Sequence, residues 1–236
     1  MSQLVRWHGF ADAPTLQQEA FARILRAADA AIAARGRFDL VLAGGSTPQA
    51  VYRLLRDAQA DWSRWWIWYG DERCLPRDDP ERNSHMAAIN WLDHVAIDAS
   101  QIRPIAAELG AQAGARDYAQ VLQPLGWFDL VLLGLGEDGH TASLFPGRDV
   151  HGDGLASMIA VLDAPKPPAQ RISMSATRLS QARAVVFLVS GESKREAVQR
   201  WREGADIPAR TIAPAAGVDV LIEQALLDSP AAPALP

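Results

Sequence analysis

The amino-acid sequence predicts an α/β fold of three layers, a mostly parallel sheet with helices on both faces. Three observations predict it. Short apolar runs bounded by Gly, Asp or Pro alternate with helical patterns along the chain, and strand-then-helix repetition yields a parallel sheet covered on both sides. Several runs end in glycine-containing loops that open the next helix. This is the Rossmann-like arrangement, in which ligands lie beyond the carboxyl ends of the strands. The 236 residues, 49% hydrophobic and 22% charged, are enough to bury a substantial core without staples.

Residues 15–35, rich in Ala, Leu, Ile and Gln, read as an amphipathic helix. Residues 38–43 form a compact apolar run stopped by Gly44-Gly45, a buried strand. Residues 47–56 follow as a helix with Pro48 near its first turn, where a missing N–H costs little. Residues 65–69 are a second strand, ended by Gly70-Asp71. Helices are expected at 84–92 and 112–123, and a third strand at 128–133, stopped by Gly134. Residues 158–162 and 171–174 read as strands, and 164–168 between them, Ala-Pro-Lys-Pro-Pro, as a stiff surface loop. Residues 184–189 are a strong strand, 192–202 the helix after it, and 218–222 a last strand. There is no internal repeat and no interdomain linker. One domain over residues 1–236 is therefore expected, with the Pro- and Ala-rich stretch 229–236 as a frayed tail.

Composition excludes several classes. The formal net charge is −5 and no basic block occurs, which argues against nucleic-acid binding. No apolar run is long enough to span a membrane, and no signal peptide is visible. Cys74 is the lone cysteine, so a reducing, cytoplasmic setting is expected. His8, His85, His94 and His151 show no metal-ligand spacing, and neither metal nor cofactor is expected. Four of the eight tryptophans lie between Trp62 and Trp68; packing is the preferred reading, ahead of a stacking platform.

Four strand ends carry polar residues. Ala43-Gly44-Gly45-Ser46-Thr47-Pro48 leaves a strand and opens a helix. It reads as an anion cradle at a helix N-terminus or as a tight turn with an N-cap. It is not a Walker A loop, because no Gly-Lys-Ser/Thr follows. Gly70-Asp71-Glu72-Arg73 reads as a site or as a surface ion pair. Gly134-Leu135-Gly136-Glu137-Asp138-Gly139-His140 contains G-x-G-x-x-G. A dinucleotide loop would run on into a long helix, whereas Pro146-Gly147 interrupts, and Asp138 would face a pyrophosphate. The remaining readings are a turn presenting His140 as a general base and a surface or capping histidine. Ser190-Gly191-Glu192-Ser193-Lys194 places Lys194 in a first helical turn, where a bound anion would offset the unfavourable macrodipole. Arg171, opening a strand after the Pro-rich loop, is a further candidate cation.

Together these loops resemble the 6-phosphogluconolactonase family, within the fold group that includes glucosamine-6-phosphate deaminase. Gly44-Gly45-Ser46-Thr47-Pro48 is similar to that group's phosphate loop, and Gly70-Asp71-Glu72-Arg73 to its second-strand signature. The run from Gly134 to Gly147 is the most specific match. Its continuation Thr141-Ala142-Ser143-Leu144-Phe145-Pro146 resembles the lactonases rather than the deaminases. Lys166-Pro167-Pro168, Arg171-Ile172-Ser173 and Ser190-Gly191 with Lys194 also match.

The resemblance implies hydrolysis of 6-phospho-D-glucono-1,5-lactone, with a deaminase or isomerase of amino-sugar phosphates as the alternative. It implies His140 as catalytic base, with Asp71 orienting it, the water or the sugar. Arg73, Arg171 and Lys194 would meet the substrate's anionic groups, and Gly44, Gly45, Ser46 and Thr47 would hold the phosphate. The expected partner is the small sugar-phosphate lactone, and the expected assembly a monomer or small homo-oligomer. A noncatalytic sugar-phosphate sensor is disfavoured because residues 1–37 offer one helix and no helix-turn-helix. A nicotinamide oxidoreductase is disfavoured by the short loop after Gly139.

Overall fold

The computed structural model describes residues 3–152 and 157–228. In chain order the elements are β1 (Val5–Phe10), α1 (Ala13–Arg35), β2 (Phe38–Leu42), α2 (Ser46–Arg56), β3 (Trp65–Tyr69), β4 (Asp71–Arg73) and α3 (Asn83–Asn90). Then come β5 (Ile102–Arg103), α4 (Ala111–Leu122), β6 (Phe128–Gly134), β7 (Met158–Val161) and β8 (Arg171–Met174). The last are α5 (Ala176–Ser180), β9 (Ala182–Val189), α6 (Arg195–Arg202) and β10 (Val218–Glu223). The expected tail 229–236 lies outside the described residues.

Local chemistry explains the boundaries. Asp12 caps α1 by accepting from the Thr15 amide at 2.8 Å. Gly36, at φ 74°, ends it and donates to the Ile32 carbonyl. The buried face Leu16, Ala20, Ile24, Ala28 and Ala31 follows helical spacing. The expected helix at 192–202 divides instead: Glu192–Lys194 is a single 3₁₀ turn and α6 starts at Arg195.

Seven strands form one sheet in the order β1-β10-β9-β6-β2-β3-β5, with every pair parallel. All five residues of β2 are buried, so both faces of the sheet centre are covered. Trp62, Trp65, Trp91 and Tyr52 pack together under α2 and α3, which makes these tryptophans core. Among the described residues no helix is long and apolar enough to cross a membrane.

After β2 the chain moves outward through β3 to β5, and after β6 it moves the other way through β9 to β10. The order therefore reverses between β2 and β6, and the loops leaving these neighbours diverge. That divergence opens a crevice at the carboxyl ends of the strands.

A second sheet, β4-β8-β7, is antiparallel and was not read from the sequence. Gly70 ends β3, its amide donating to the Leu42 carbonyl at 3.1 Å. The chain then runs into β4, where Asp71 faces Ser173, and Arg73 faces Arg171 across the pair. This small sheet hangs beside the crevice.

Candidate active site

One cavity of about 200 Å³ occupies the crevice. The loops after β2, β3 and β6 converge on it, joined by Asn83, Lys166, Arg171 and Lys194. Of the residues singled out from sequence, Gly44, Gly45, Asp71, Arg73, His140, Arg171 and Lys194 all line it.

Ser46 and Thr47 do not line the cavity. The Thr47 hydroxyl is buried and shares a 2.6 Å hydrogen bond with Ser190 Oγ, tying two loops together. What the first loop offers an anion is backbone. Gly45, at φ 105°, is the N-cap of α2 and supplies no side-chain cap, so the helix's first amides remain open.

His140 is half-buried, its ring 4.9 Å from that of Phe145. Its Nδ1 lies 2.5 Å from Asp138 Oδ1, and its own amide donates to the same oxygen at 3.1 Å. Partial burial works against the Asp138 carboxylate, but the imidazole and the backbone N–H outweigh it and hold its pKa below the ordinary value. An ionised Asp138 fixes the Nδ1–H tautomer and leaves the Nε2 lone pair for a proton. The turn depends on two glycines. A Cβ on Gly136 would fall 2.0 Å from His140 Nδ1, and Gly139 sits at φ 87°.

This geometry narrows the role expected of Asp71 to the water or the sugar. Asp71 does not orient His140; Asp138 does. The Asp71 carboxylate instead accepts from Ser143 Oγ at 2.6 Å and from Asn83 Nδ2 at 3.0 Å, and it faces the cavity as a fixed acceptor.

The cations are arranged unequally. Arg171 donates Nε to the Pro168 carbonyl, and Nη2 to those of Lys166 and Pro167. Half of its guanidinium thus holds the Pro-rich loop, and burial lowers its pKa. Arg73 donates Nη1 to the Glu81 carbonyl, while its Nε is buried with no partner among the described residues. Like charges facing one another across an antiparallel pair repel. Arg73 therefore works against the Arg171 charge, while the Asp71 and Glu81 carboxylates favour it. Lys166 binds Glu137 at 3.2 Å across the cavity rim, and together with Lys194 it holds the Glu137 carboxylate below its ordinary pKa.

Residues 11–221 match the family model described as glucosamine-6-phosphate isomerases/6-phosphogluconolactonase. A 6-phosphogluconolactonase of Mycobacterium leprae is 36% identical to the chain, covering 96% of it and 97% of that protein. The chain belongs to this family.

A 6-phosphogluconolactonase of Mycobacterium tuberculosis is 38% identical over the same share of both chains. The structure of the Trypanosoma brucei 6-phosphogluconolactonase superposes with a TM-score of 0.86 at 26% identity, covering 95% of this chain and 98% of that one. A monomeric glucosamine-6-phosphate deaminase matches at TM-score 0.79 and 22% identity, a likeness of fold. Membership bears out the resemblance read from the loops at Gly44, Gly70, Gly134 and Gly191.

Three residues at the site of this family member escaped the sequence reading. Asp138 entered it only as a charge unfavourable to a pyrophosphate. Asn83 and Ser143 carried no local signal, because their role is to hold Asp71 from distant elements.

Proposed function

We propose that the protein hydrolyses 6-phospho-D-glucono-1,5-lactone to 6-phospho-D-gluconate, the second step of the oxidative pentose phosphate pathway. One observation carries the reading: His140, held from behind by Asp138, lines the same cavity as the opposed Arg73 and Arg171 and the uncapped start of α2. A base, an anion cradle and acceptors for hydroxyls thus share one crevice.

In this mechanism the phosphate docks on the open amides at the start of α2, from Gly45 onward, and on the lysines, which contributes positioning. His140 Nε2 takes a proton from water as the water oxygen attacks the lactone carbonyl carbon, C1. Arg73 donates to the oxyanion that develops. The tetrahedral intermediate then collapses, the bond from C1 to the ring oxygen breaks, and the imidazolium returns its proton to that oxygen. Asp138 stabilises the transient imidazolium throughout. General-base assistance of this kind is worth ~10²–10⁴-fold. The lone Cys74 supports a reducing, cytoplasmic setting, in which the enzyme works as a monomer or small homo-oligomer.

The test is a coupled assay. Glucose-6-phosphate dehydrogenase generates the lactone, and 6-phosphogluconate dehydrogenase reports the product as NADPH. Wild type accelerates the second phase, and His140→Ala does not. A folded wild-type protein that gives no acceleration overturns the reading and directs the assay to ammonia release from glucosamine 6-phosphate.

A further inference from the structure

Asn83 opens α3 and is 5% exposed, yet it lines the cavity. Its Nδ2 donates to both the Asp71 carbonyl and Asp71 Oδ1, each at 3.0 Å. Two acceptors on one side fix the orientation of the amide, since the flipped form would set its oxygen against them. Asn83 Oδ1 therefore points away from Asp71, and it accepts from no described residue. Unlike the buried Nε of Arg73, which also lacks a partner among the described residues, it keeps contact with the cavity. The atom is thus an open acceptor at the cavity wall, packed against Gly44: a Cβ there would fall 2.1 Å from it.

The position is held rigidly from behind. Glu72, fully buried, accepts from the amides of Asn83 at 2.7 Å, Ser84 at 2.8 Å and Arg73 at 2.9 Å. Its carboxylate thereby caps α3 where the helix dipole favours negative charge. Arg82, also buried, pairs with Glu72 at 3.4 Å and with Glu108 at 2.8 Å.

We propose that Asn83 is a specificity-determining residue whose Oδ1 accepts a hydrogen bond from a ring hydroxyl of the substrate. The chemistry divides the lining of the cavity into two kinds of group. A phosphate or carboxylate offers only acceptors and goes to Arg73, Arg171 and the lysines. An amide oxygen beside the Asp71 carboxylate accepts only, so it selects a hydroxyl donor and repels an anion. This inference rests on the lactonase reading and adds to it how the polyol is told from other phosphorylated esters.

The test compares the parent lactone with its 2-, 3- and 4-deoxy analogues, each made in situ from the corresponding deoxyglucose 6-phosphate. Hydrolysis is followed by proton release in a pH-stat. Wild type loses ~10-fold or more in kcat/KM on one analogue, the scale of a hydrogen bond lost at a desolvated site. In Asn83→Ala absolute rates fall and that discrimination collapses toward unity.

Gly44→Ala, whose Cβ would fall 2.1 Å from Oδ1 and so displaces the Asn83 amide while the Glu72 cap of α3 stays, collapses the same ratio. Unchanged discrimination in both variants overturns the proposal, as does a wild type indifferent to all three hydroxyls. Ser143→Ala removes the other side-chain donor to Asp71 and keeps the ratio; a collapse there as well would assign the hydroxyl to Asp71 and overturn the proposal too. Failure of the lactonase reading shows separately, as wild type that leaves the parent lactone untouched.

Discussion

Gly136→Ala isolates the catalytic pair from the rest of the fold. The added Cβ would sit 2.0 Å from His140 Nδ1, 2.2 Å from Cε1 and 2.6 Å from Cγ. Ordinary contact begins near 3.4 Å, so the ring must retreat by 3.4 − 2.0 = 1.4 Å. Gly136 is not among the glycines at positive φ, so alanine meets no backbone penalty there. The imidazole is the movable end of a side chain, and rotating it relieves the clash. That rotation breaks the bond to Asp138 and carries Nε2 off its line to the water.

A misplacement of about 1 Å costs on the order of 10²-fold, and loss of the base altogether ~10²–10⁴-fold. We expect kcat to fall within that range while KM changes little, because the phosphate cradle is untouched. The coupled NADPH assay measures both, and circular dichroism and Tm check the fold. Gly126→Ala, where nothing lies within 4 Å of the new Cβ, is the control. Gly136→Ala combined with His140→Ala should be no slower than His140→Ala alone, since both remove one interaction. Wild-type kcat in Gly136→Ala would refute the assignment of the histidine pair.

Asp138→Asn should lower kcat by ~10-fold or more at unchanged KM, because a neutral amide stabilises the imidazolium poorly; an unaltered kcat would leave Asp138 structural. Its pKa is depressed in the fold, so ionised Asp138 favours folding above its ordinary value, and that contribution disappears as pH falls through the depressed one. The Tm gap between Asp138→Asn and wild type should accordingly narrow in acid. Arg73→Gln removes a charged donor, an interaction worth ~1.5–3 kcal/mol. A ~10–10²-fold loss in kcat/KM is expected, with a smaller Tm rise on adding 6-phosphogluconate; equal Tm rises would remove Arg73 from the anion site. Burial pushes the Cys74 thiol from 9.0 up to about 11. Its alkylation by iodoacetamide at neutral pH should run ~100-fold slower than that of a free cysteine peptide, by thiolate fraction; peptide-like rates would mean the side chain is open.

The parallel sheet was legible because its signals are local. Phe38 to Leu42 and Phe128 to Gly134 are apolar runs closed by glycine, and both proved to be central strands. β1 was missed because it is an edge strand of mixed character, whose Arg6 and His8 are held by Asp219 of β10. β4 was missed because three residues carry no periodicity, and its partner β8 lies far along the chain. The site was legible as loops and not as pairings. His140 stood out by residue type and context. That Asp138 rather than Asp71 orients it depends on the left-handed turn at Gly139, which brings together residues two apart. Thr47 looked like a phosphate ligand until the fold supplied Ser190 as its partner.

The three residues of β4 show why so short a strand matters. Strand alternation sends Asp71 and Arg73 to one face and Glu72 to the other. On the cavity side Asp71 receives Asn83 and Ser143, and Arg73 opposes Arg171. On the far side Glu72 caps α3 and so sets the position of Asn83, which returns to Asp71. The network closes on itself through one strand and one helix start, and a shift by one residue would exchange its faces. A buried carboxylate is costly unless satisfied, and Glu72 accepts from three amides and faces the Arg82 charge at 3.4 Å. The cross-strand arginines carry the opposite sign of cost: they repel one another, and the nearby Asp71 and Glu81 carboxylates offset that repulsion before any ligand arrives. The fold thus spends its rigidity on the acceptors that orient a neutral polyol and leaves its cations where ligand charge can meet them. That division accounts for tight anchoring of Asp71 and Asn83 beside Arg73, whose buried Nε lacks a partner among the described residues.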